Sequence, residues 1–85
     1  MASYSVLIKR SAARELEALP EKPRRQLAAK IQALAANPRP TGCEKLSGAE
    51  LYRIRHGDHR VVYDIQDAVL TVLVVRVGHR REVYR

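Results

Sequence analysis

Three arginines lie close together in the stretch LYRIRHGDHR, residues 51–60. Side chains alternate across a β-strand, so Arg53 and Arg55 share one face. If the Gly-Asp pair forms a two-residue hairpin loop, Arg60 lies directly opposite Arg55, and the three guanidinium groups converge. Each guanidinium fork can bind two phosphate oxygens, which makes this face a candidate anion site. The alternative is a solvated sheet face on which arginines happen to cluster.

Apolar side chains set the register of this predicted hairpin. Ile54 pairs with Val61, and both face away from the arginines together with Tyr63 and Ile65. A slip by one residue would turn arginines into the core. Tyr52 shares the apolar face, and we expect both tyrosines to be structural.

Histidines are the natural proton carriers near neutral pH. His56 and His59 flank the predicted turn and are expected to be exposed hairpin residues. His79 belongs to the tail GHRREVYR, residues 78–85, which contains further candidate site residues: Arg80, Arg81, Tyr84 and Arg85. If this tail folds over the arginine-bearing face, it brings an imidazole and a phenol beside the guanidinium groups.

That set of side chains fits RNA cleavage. RNA supplies its own nucleophile, the 2′-OH, and the protein must supply a base, an acid and cations for the pentacovalent phosphate. Removing one well-placed stabilising donor typically lowers the rate by about 10²–10³-fold. No metal or other cofactor is expected, because the sequence has no carboxylate cluster to hold one.

The charge balance agrees with a polyanionic partner. Sixteen Lys and Arg against nine Asp and Glu give the 85-residue chain a net charge of +7 and a pI near 10.2. Such a domain attracts nucleic acid, an acidic protein or an anionic membrane surface. Its length indicates one domain, residues 1–85.

Cys43 is the only cysteine, so no intramolecular disulfide forms, and we read it as a loop or core thiol. The start MASYSVLIKR has too short an apolar run for a signal peptide, and no stretch approaches the roughly 20 apolar residues that span a bilayer. We therefore expect a cytoplasmic protein that does not contact a membrane.

Hydrophobic periodicity predicts the order β-α-α-β-β-β and an α+β fold. The N-terminal helical hairpin should pack on one face of a small, twisted, mostly antiparallel sheet. Ser11 is the predicted first N-cap, and Asn37-Pro38 ends the second helix. The predicted segments are strand 4–8, helices 11–20 and 24–38, a short strand or turn in 44–50, and strands 51–55, 60–65 and 69–77. The last is apolar on both faces, which suits the most deeply placed strand.

The segments LYRIRHGDHRVVYDI and VGHRREVYR, preceded by KLSG, resemble the RelE/ParE superfamily of type II toxins, and most closely its RelE branch. The resemblance covers the whole chain. It implies a metal-independent, ribosome-dependent mRNA endoribonuclease that cuts in the A site and leaves a 2′,3′-cyclic phosphate and a 5′-OH. It also implies a RelB-like antitoxin with an acidic or amphipathic segment, and contact with operator DNA only through the antitoxin complex.

The resemblance also assigns roles by position. Arg53 and Arg55 match the two basic positions of an aromatic-basic-aliphatic-basic strand, and Arg60 matches a phosphate stabiliser on the next strand. Arg80 matches an arginine that stabilises transition-state charge or the leaving group, and Tyr84 a tyrosine that stacks on a base. Further expected RNA contacts are Lys45, Arg81 and Arg85.

One departure leaves the general base open. The best-studied branch has lysines where this chain has Arg53 and Arg55, and arginine does not deprotonate in proteins. His79 or Tyr84 is the natural substitute. Two other functions stay open: a ParE-like gyrase inhibitor, and a non-catalytic basic module that binds an acidic partner.

Overall fold

The structure is a computed structural model that describes residues 3–46 and 51–79. The helices are α1 (Arg10–Glu17) and α2 (Glu21–Ala33). The strands are β1 (Ser5–Ile8), β2 (Glu44–Lys45), β3 (Leu51–His56), β4 (His59–Gln66) and β5 (Thr71–His79).

The five strands form one sheet in the order β1-β5-β4-β3-β2. β1 pairs in parallel with β5, and the other neighbours are antiparallel. The α+β fold with a mostly antiparallel sheet is therefore confirmed. The most deeply placed strand, however, is β4 and not β5 as predicted. β5 is also interior, but on its second face Leu73 and Val75 are only half-buried.

The two helices follow their apolar periodicity but differ from the predicted bounds. Ser11 does not cap α1, because the Lys9 amide donates to the Val74 carbonyl at 2.9 Å and the helix begins at the next residue. α2 begins three residues before the predicted start, with Pro23 in its first turn. It ends at Ala33, although turn-like backbone hydrogen bonds continue as far as Asn37.

The core lies between the helices and one face of the sheet, where valine is the commonest residue. Tyr63, at 0% exposure, is the largest fully buried side chain. The other buried hydrophobic residues of this cluster are Ala12, Leu27, Ile31, Leu34, Ile54, Val61, Val72, Val74 and Val77.

The β3–β4 hairpin has the predicted register. Arg55 pairs with Arg60 and Ile54 with Val61, and Gly57 has the positive φ of +60° that the tight turn requires. The next connection differs from the prediction: a 3₁₀ turn spans Asp67–Val69, and Leu70 follows in the left-handed region with φ of 47°.

A β-bulge interrupts the pairing of β4 with β5. Val62 pairs with Arg76 and Tyr63 with Val74, so Val75 is the extra residue. If side chains alternated strictly along β5, residues 76 and 78 would face the helices on the same side as Val74. Because of the bulge, Val77 faces the helices instead, opposite Val61.

Glu15 of α1 fastens the helix to β5 beyond the end of β1. Its carboxylate accepts hydrogen bonds from the Val77 amide at 3.0 Å and from Nε of Arg76 at 3.1 Å. β1 pairs with β5 only as far as Val74, so the Val77 amide has no β1 residue opposite it. A side chain thus provides the acceptor that a neighbouring strand would otherwise supply.

We expect Glu15→Ala to lower the free energy of unfolding by about 1–2 kcal/mol, because the Val77 amide and Arg76 both lose this acceptor. Amide exchange measured by NMR should quicken at Val77, and urea unfolding gives the overall change. Glu17→Ala is the matched control, since Glu17 is exposed on the same helix. Unchanged exchange at Val77 in Glu15→Ala would contradict this role.

Candidate functional site

The sheet face that bears Arg53, Arg55 and Arg60, here called the arginine face, lies opposite the helix-covered face. Arg55 and Arg60 are direct partners across β3 and β4, so their side chains leave the sheet on the same side. Arg53 lies two positions before Arg55 on the same side. The predicted convergence of these three residues is therefore present in the structure.

The three arginines differ in exposure, which the sequence did not indicate. Arg53 is 7% exposed and Arg60 5%, whereas the side chain of Arg55 retains 52% of its surface. Taking a guanidinium out of water is costly unless hydrogen bonds or opposite charge compensate. Arg55 is thus the most accessible of the three charges, and the other two are largely enclosed.

Glu44 bridges two of these arginines. Its Oε2 accepts a hydrogen bond from Arg53 at 2.8 Å, and its Oε1 accepts one from Arg55 at 2.8 Å. The hydrogen bond from Arg53 is the main reason that the pKa of Glu44 is lowered, and the charge of Arg55 adds to it. The sequence analysis did not identify Glu44, because it considered only the residues of the β3–β4 hairpin and the C-terminal tail as neighbours of the cluster. Recognising residues 44–45 as a strand paired with β3 would have revealed it, because that pairing sets Glu44 opposite Arg53.

Lys45 does not share the arginine face. It pairs with Tyr52, whose side chain packs against the core on the helix-covered face. The expected contact of Lys45 with RNA stays a prediction, and its position indicates that such a contact would be made away from the three arginines. Alternation along the two-residue strand β2 puts Glu44 and Lys45 on opposite sides.

The histidines form a row across three strands on the helix-covered face. His59 pairs with both His56 and His79, and the rings of His59 and His79 meet edge to face with centroids 6.1 Å apart. Nε2 of His56 lies 2.9 Å from Oε1 of Gln26 in α2. His56 is therefore not a freely exposed hairpin residue as expected.

His79 lies on the opposite side of the sheet from the arginines. The sequence analysis brings it beside them only if the tail folds over their face, but β5 extends through His79, two residues beyond its predicted end at residue 77, and holds it in the sheet. Without the bulge, alternation from Val74 would put His79 on the arginine face; with it, His79 pairs with His59 on the other side. The candidate residues Arg80, Arg81, Tyr84 and Arg85 lie outside the described residues.

Two tyrosines pack together at the other end of the helix-covered face. The Tyr63 hydroxyl donates to the Pro38 carbonyl at 2.7 Å, and burial raises the pKa of Tyr63. Tyr52 stacks on Tyr63 with centroids 6.1 Å apart, and Arg39 lies over the Tyr52 ring at 5.2 Å. Both tyrosines are structural, as predicted.

Asp67 ties the 3₁₀ turn to this cluster. It accepts two hydrogen bonds from Arg39, at 3.0 and 3.3 Å, and one from the Tyr4 hydroxyl at 2.6 Å. The bonds from Arg39, and then that from Tyr4, lower the pKa of Asp67. The carboxylate in turn raises the pKa of Tyr4.

An open cleft of about 370 Å³ lies between α2, the loop after it and β3. Its wall is mainly apolar, with Leu34 and Ile54 among the lining residues, and Lys30 and Arg55 add positive charge. Arg55 therefore belongs both to the arginine face and to this cleft.

Two kinds of site find no support in residues 3–46 and 51–79. No group of three or more His, Cys, Asp or Glu side chains there could hold a metal ion. Within the same residues, no helix has the length and apolar character needed to cross a membrane.

The geometry has counterparts among known proteins. A family profile described as the ParE toxin of the type II toxin–antitoxin system, parDE, matches residues 6–84. The isolated RelE toxin of E. coli is similar to this chain at 31% identity and a TM-score of 0.80, over 96% of this chain and 92% of the toxin. No curated protein matches its sequence.

Two antitoxin complexes contain chains with the same fold. The RelBE2 toxin–antitoxin complex of Mycobacterium tuberculosis is matched at 28% identity and a TM-score of 0.80, over 92% of this chain and 99% of the other. The RelE–RelB complex of Pyrococcus horikoshii OT3 is matched at 27% identity and a TM-score of 0.82, over 92% and 96%.

Asp67 should make stability depend on pH in acid. Its pKa is depressed in the folded state, so its stabilising effect is present above the unfolded value and is lost as pH falls through the folded value. We expect Asp67→Asn to lower the urea midpoint at neutral pH. The difference from the parent should shrink below pH 3.8, the ordinary aspartate value.

Asp58→Asn is the control for this comparison, because Asp58 is an exposed residue of the β3–β4 turn. Urea titrations at several pH values measure the difference. A constant difference between Asp67→Asn and the parent at every pH would contradict the charge-based account.

Proposed function

The chain belongs to the RelE/ParE superfamily of type II toxins, and from this membership we propose that it is a ribosome-dependent mRNA endoribonuclease. It would inhibit translation by cutting mRNA in the ribosomal A site. The observation that carries the proposal is the direct pairing of Arg55 with Arg60 on the face that the helices leave uncovered. Two guanidinium groups side by side suit a phosphate whose charge grows during reaction.

The proposed reaction uses the nucleophile that RNA already carries. The 2′-oxygen attacks the adjacent phosphorus, the bond to the 5′-oxygen breaks, and the products are a 2′,3′-cyclic phosphate and a 5′-OH. Arg55, the most exposed of the three arginines, would meet the phosphate first. Arg60 would stabilise the negative charge of the pentacovalent state from the neighbouring strand, and Arg53 would hold the local arrangement of charges.

The family resemblance supplies the proposed roles of the residues in the tail. Arg80 would stabilise transition-state charge or the leaving group, and Tyr84 would stack on a base. Arg81 and Arg85 would contact neighbouring phosphates. His79 has no role at the phosphate in this scheme, because its strand pairing directs it to the helix-covered face.

A RelB-like antitoxin is the proposed protein partner, and the solved complexes of the Mycobacterium and Pyrococcus relatives support it. An acidic segment would neutralise Arg55, and apolar side chains of the same segment would suit the adjoining cleft, which Lys30 also lines. Contact with operator DNA would occur only through this complex. The place of action would be the cytoplasm, where ribosomes translate.

The second candidate function is ParE-like gyrase inhibition, and the ParE description of the matching family profile favours it. The burial of Arg53 and Arg60 is compatible with it as well, because protein docking does not need three exposed cations. A gyrase inhibitor would leave translated mRNA intact and cause DNA damage. The two functions therefore separate in a single experiment.

We expect induced toxin to produce codon-phased cuts in a translated mRNA, detected by primer extension. Arg55→Gln should lower the cleavage rate by about 10²-fold, since it removes a cation at the phosphate. Arg25→Gln is the matched control: it removes the same charge from an exposed ion pair on α2, far along the chain from the arginine face.

Two other results would decide against the nuclease, and a third would exclude the arginine face from its mechanism. Growth arrest accompanied by DNA damage, with the mRNA left intact, would identify the protein as a gyrase inhibitor. Binding of an acidic partner without any arrest would assign it to a non-catalytic module. Equal cleavage by Arg55→Gln and Arg25→Gln would remove the arginine face from the mechanism.

A further inference from the structure

The proposed reaction requires a group that takes the proton from the 2′-OH. Arginine does not lose its proton in proteins, so the three arginines of the site cannot do this. His79 lies on the other side of the sheet, opposite His59. Tyr84, the other substitute that the sequence suggests, lies outside the described residues, so the candidates among the described residues are other groups on the arginine face.

Glu44 is a carboxylate already in contact with the proposed phosphate-binding arginines. Each of its two oxygens lies 2.8 Å from a guanidinium nitrogen, one of Arg53 and one of Arg55. The side chain retains 47% of its exposed surface, so a substrate can reach it. A carboxylate oxygen has two acceptor positions, so each oxygen that accepts from an arginine can still accept from another donor.

We propose that Glu44 is the general base of the nuclease, taking the proton from the 2′-OH that attacks the scissile phosphate. The inference rests on the proposed nuclease function and names a catalytic residue for it. Arg55 links the two parts of the reaction: its guanidinium has five N–H donors, of which one bonds to Glu44 and others remain for phosphate oxygens. One side chain thus sets base and phosphate next to each other.

The step balances without a cofactor. The 2′-O–H bond breaks and its proton goes to the Glu44 carboxylate, while the 2′-oxygen forms its bond to phosphorus. The bond from phosphorus to the 5′-oxygen breaks, and the leaving oxygen takes a proton from solvent. Glu44 returns its proton to water, which restores the carboxylate for the next reaction.

The charges around Glu44 keep it ionised before RNA arrives. Arg53 and Arg55 face it from β3 and lower its pKa, and Arg60 faces Arg55 from β4. A bound phosphate brings negative charge to the same guanidinium groups and acts in the opposite direction. Its arrival therefore makes Glu44 a stronger base at the point when one is needed.

Asp64 is the other carboxylate that the strand register directs to this face, and it is poorly placed for the same task. It pairs with Leu51 and accepts a hydrogen bond from the Gln66 amide at 3.0 Å. It lies four residues beyond Arg60 along β4. Asp64→Asn is thus a control that removes the same charge from the same face without touching the arginine contacts.

The test is single-turnover cleavage of ribosome-bound mRNA at saturating toxin, which separates the chemical step from binding. We expect Glu44→Gln to lower the rate constant by about 10²–10⁴-fold, the usual contribution of a general base. Asp64→Asn should stay within a few-fold of the parent. Thermal melts of all variants identify any loss of rate that follows from unfolding.

A Glu44→His variant tests proton transfer directly. An imidazole titrates near pH 6.5, so the ratio of its rate to the parent rate should rise with pH between about 6 and 8. If residue 44 only holds the arginines in place, Glu44→His should cut no faster than Glu44→Gln at pH 8, where both side chains are neutral. Dividing the Glu44→His rate by the parent rate also removes the effect of any other group that titrates equally in both proteins.

The outcomes are distinguishable from failure of the nuclease proposal itself. If the parent toxin does not cut mRNA, the function is wrong. If the parent cuts and Glu44→Gln cuts as fast, with equal or tighter RNA binding, Glu44 is only a counter-ion and the inference is wrong. Equal losses in Glu44→Gln and Glu44→His with a pH-independent ratio would likewise overturn it.

Discussion

The pairing of β3 with β4 is the constraint on which the rest of the molecule depends. Ile54 and Val61 must both face the helices, because exposing them would remove apolar surface from a small core. With Ile54 and Val61 in that position, the side chains of Arg55 and Arg60 must both lie on the opposite face of the sheet. A cluster of like charges is destabilising in itself, and here the burial of apolar side chains on the opposite face compensates for that repulsion.

Electrostatic compensation comes from the edge of the sheet. β2 contributes only two residues, yet Glu44 brings a negative charge between Arg53 and Arg55. Glu44 thereby offsets part of the desolvation cost of the buried Arg53. Glu44 thus supports the arginine face from the β2 side, and Arg55 remains the charge most open to a ligand.

The sequence predicted what depends on local patterns and missed what depends on distant contacts. The hairpin register followed from alternation and a short loop, and the RelE/ParE toxin family followed from motifs along the chain. The start of α1 did not, because a backbone hydrogen bond from Lys9 to Val74 determines it. Glu44 was not recognised because the two-residue strand β2 is too short to show a hydrophobic periodicity. The expectation for His79 failed because β5 continues two residues beyond its predicted end, so that pairing with His59, and not the path of the tail, determines its face.

The parallel pairing of β1 with β5 has a consequence for how the toxin is made. Ser5 pairs with Thr71, which is 66 residues later in the chain (71 − 5). The first strand to leave the ribosome therefore waits for the last described one before it gains its partner, and such distant pairing folds slowly. The five-stranded sheet therefore cannot be completed until residues 71–74 have been synthesised, long after β1.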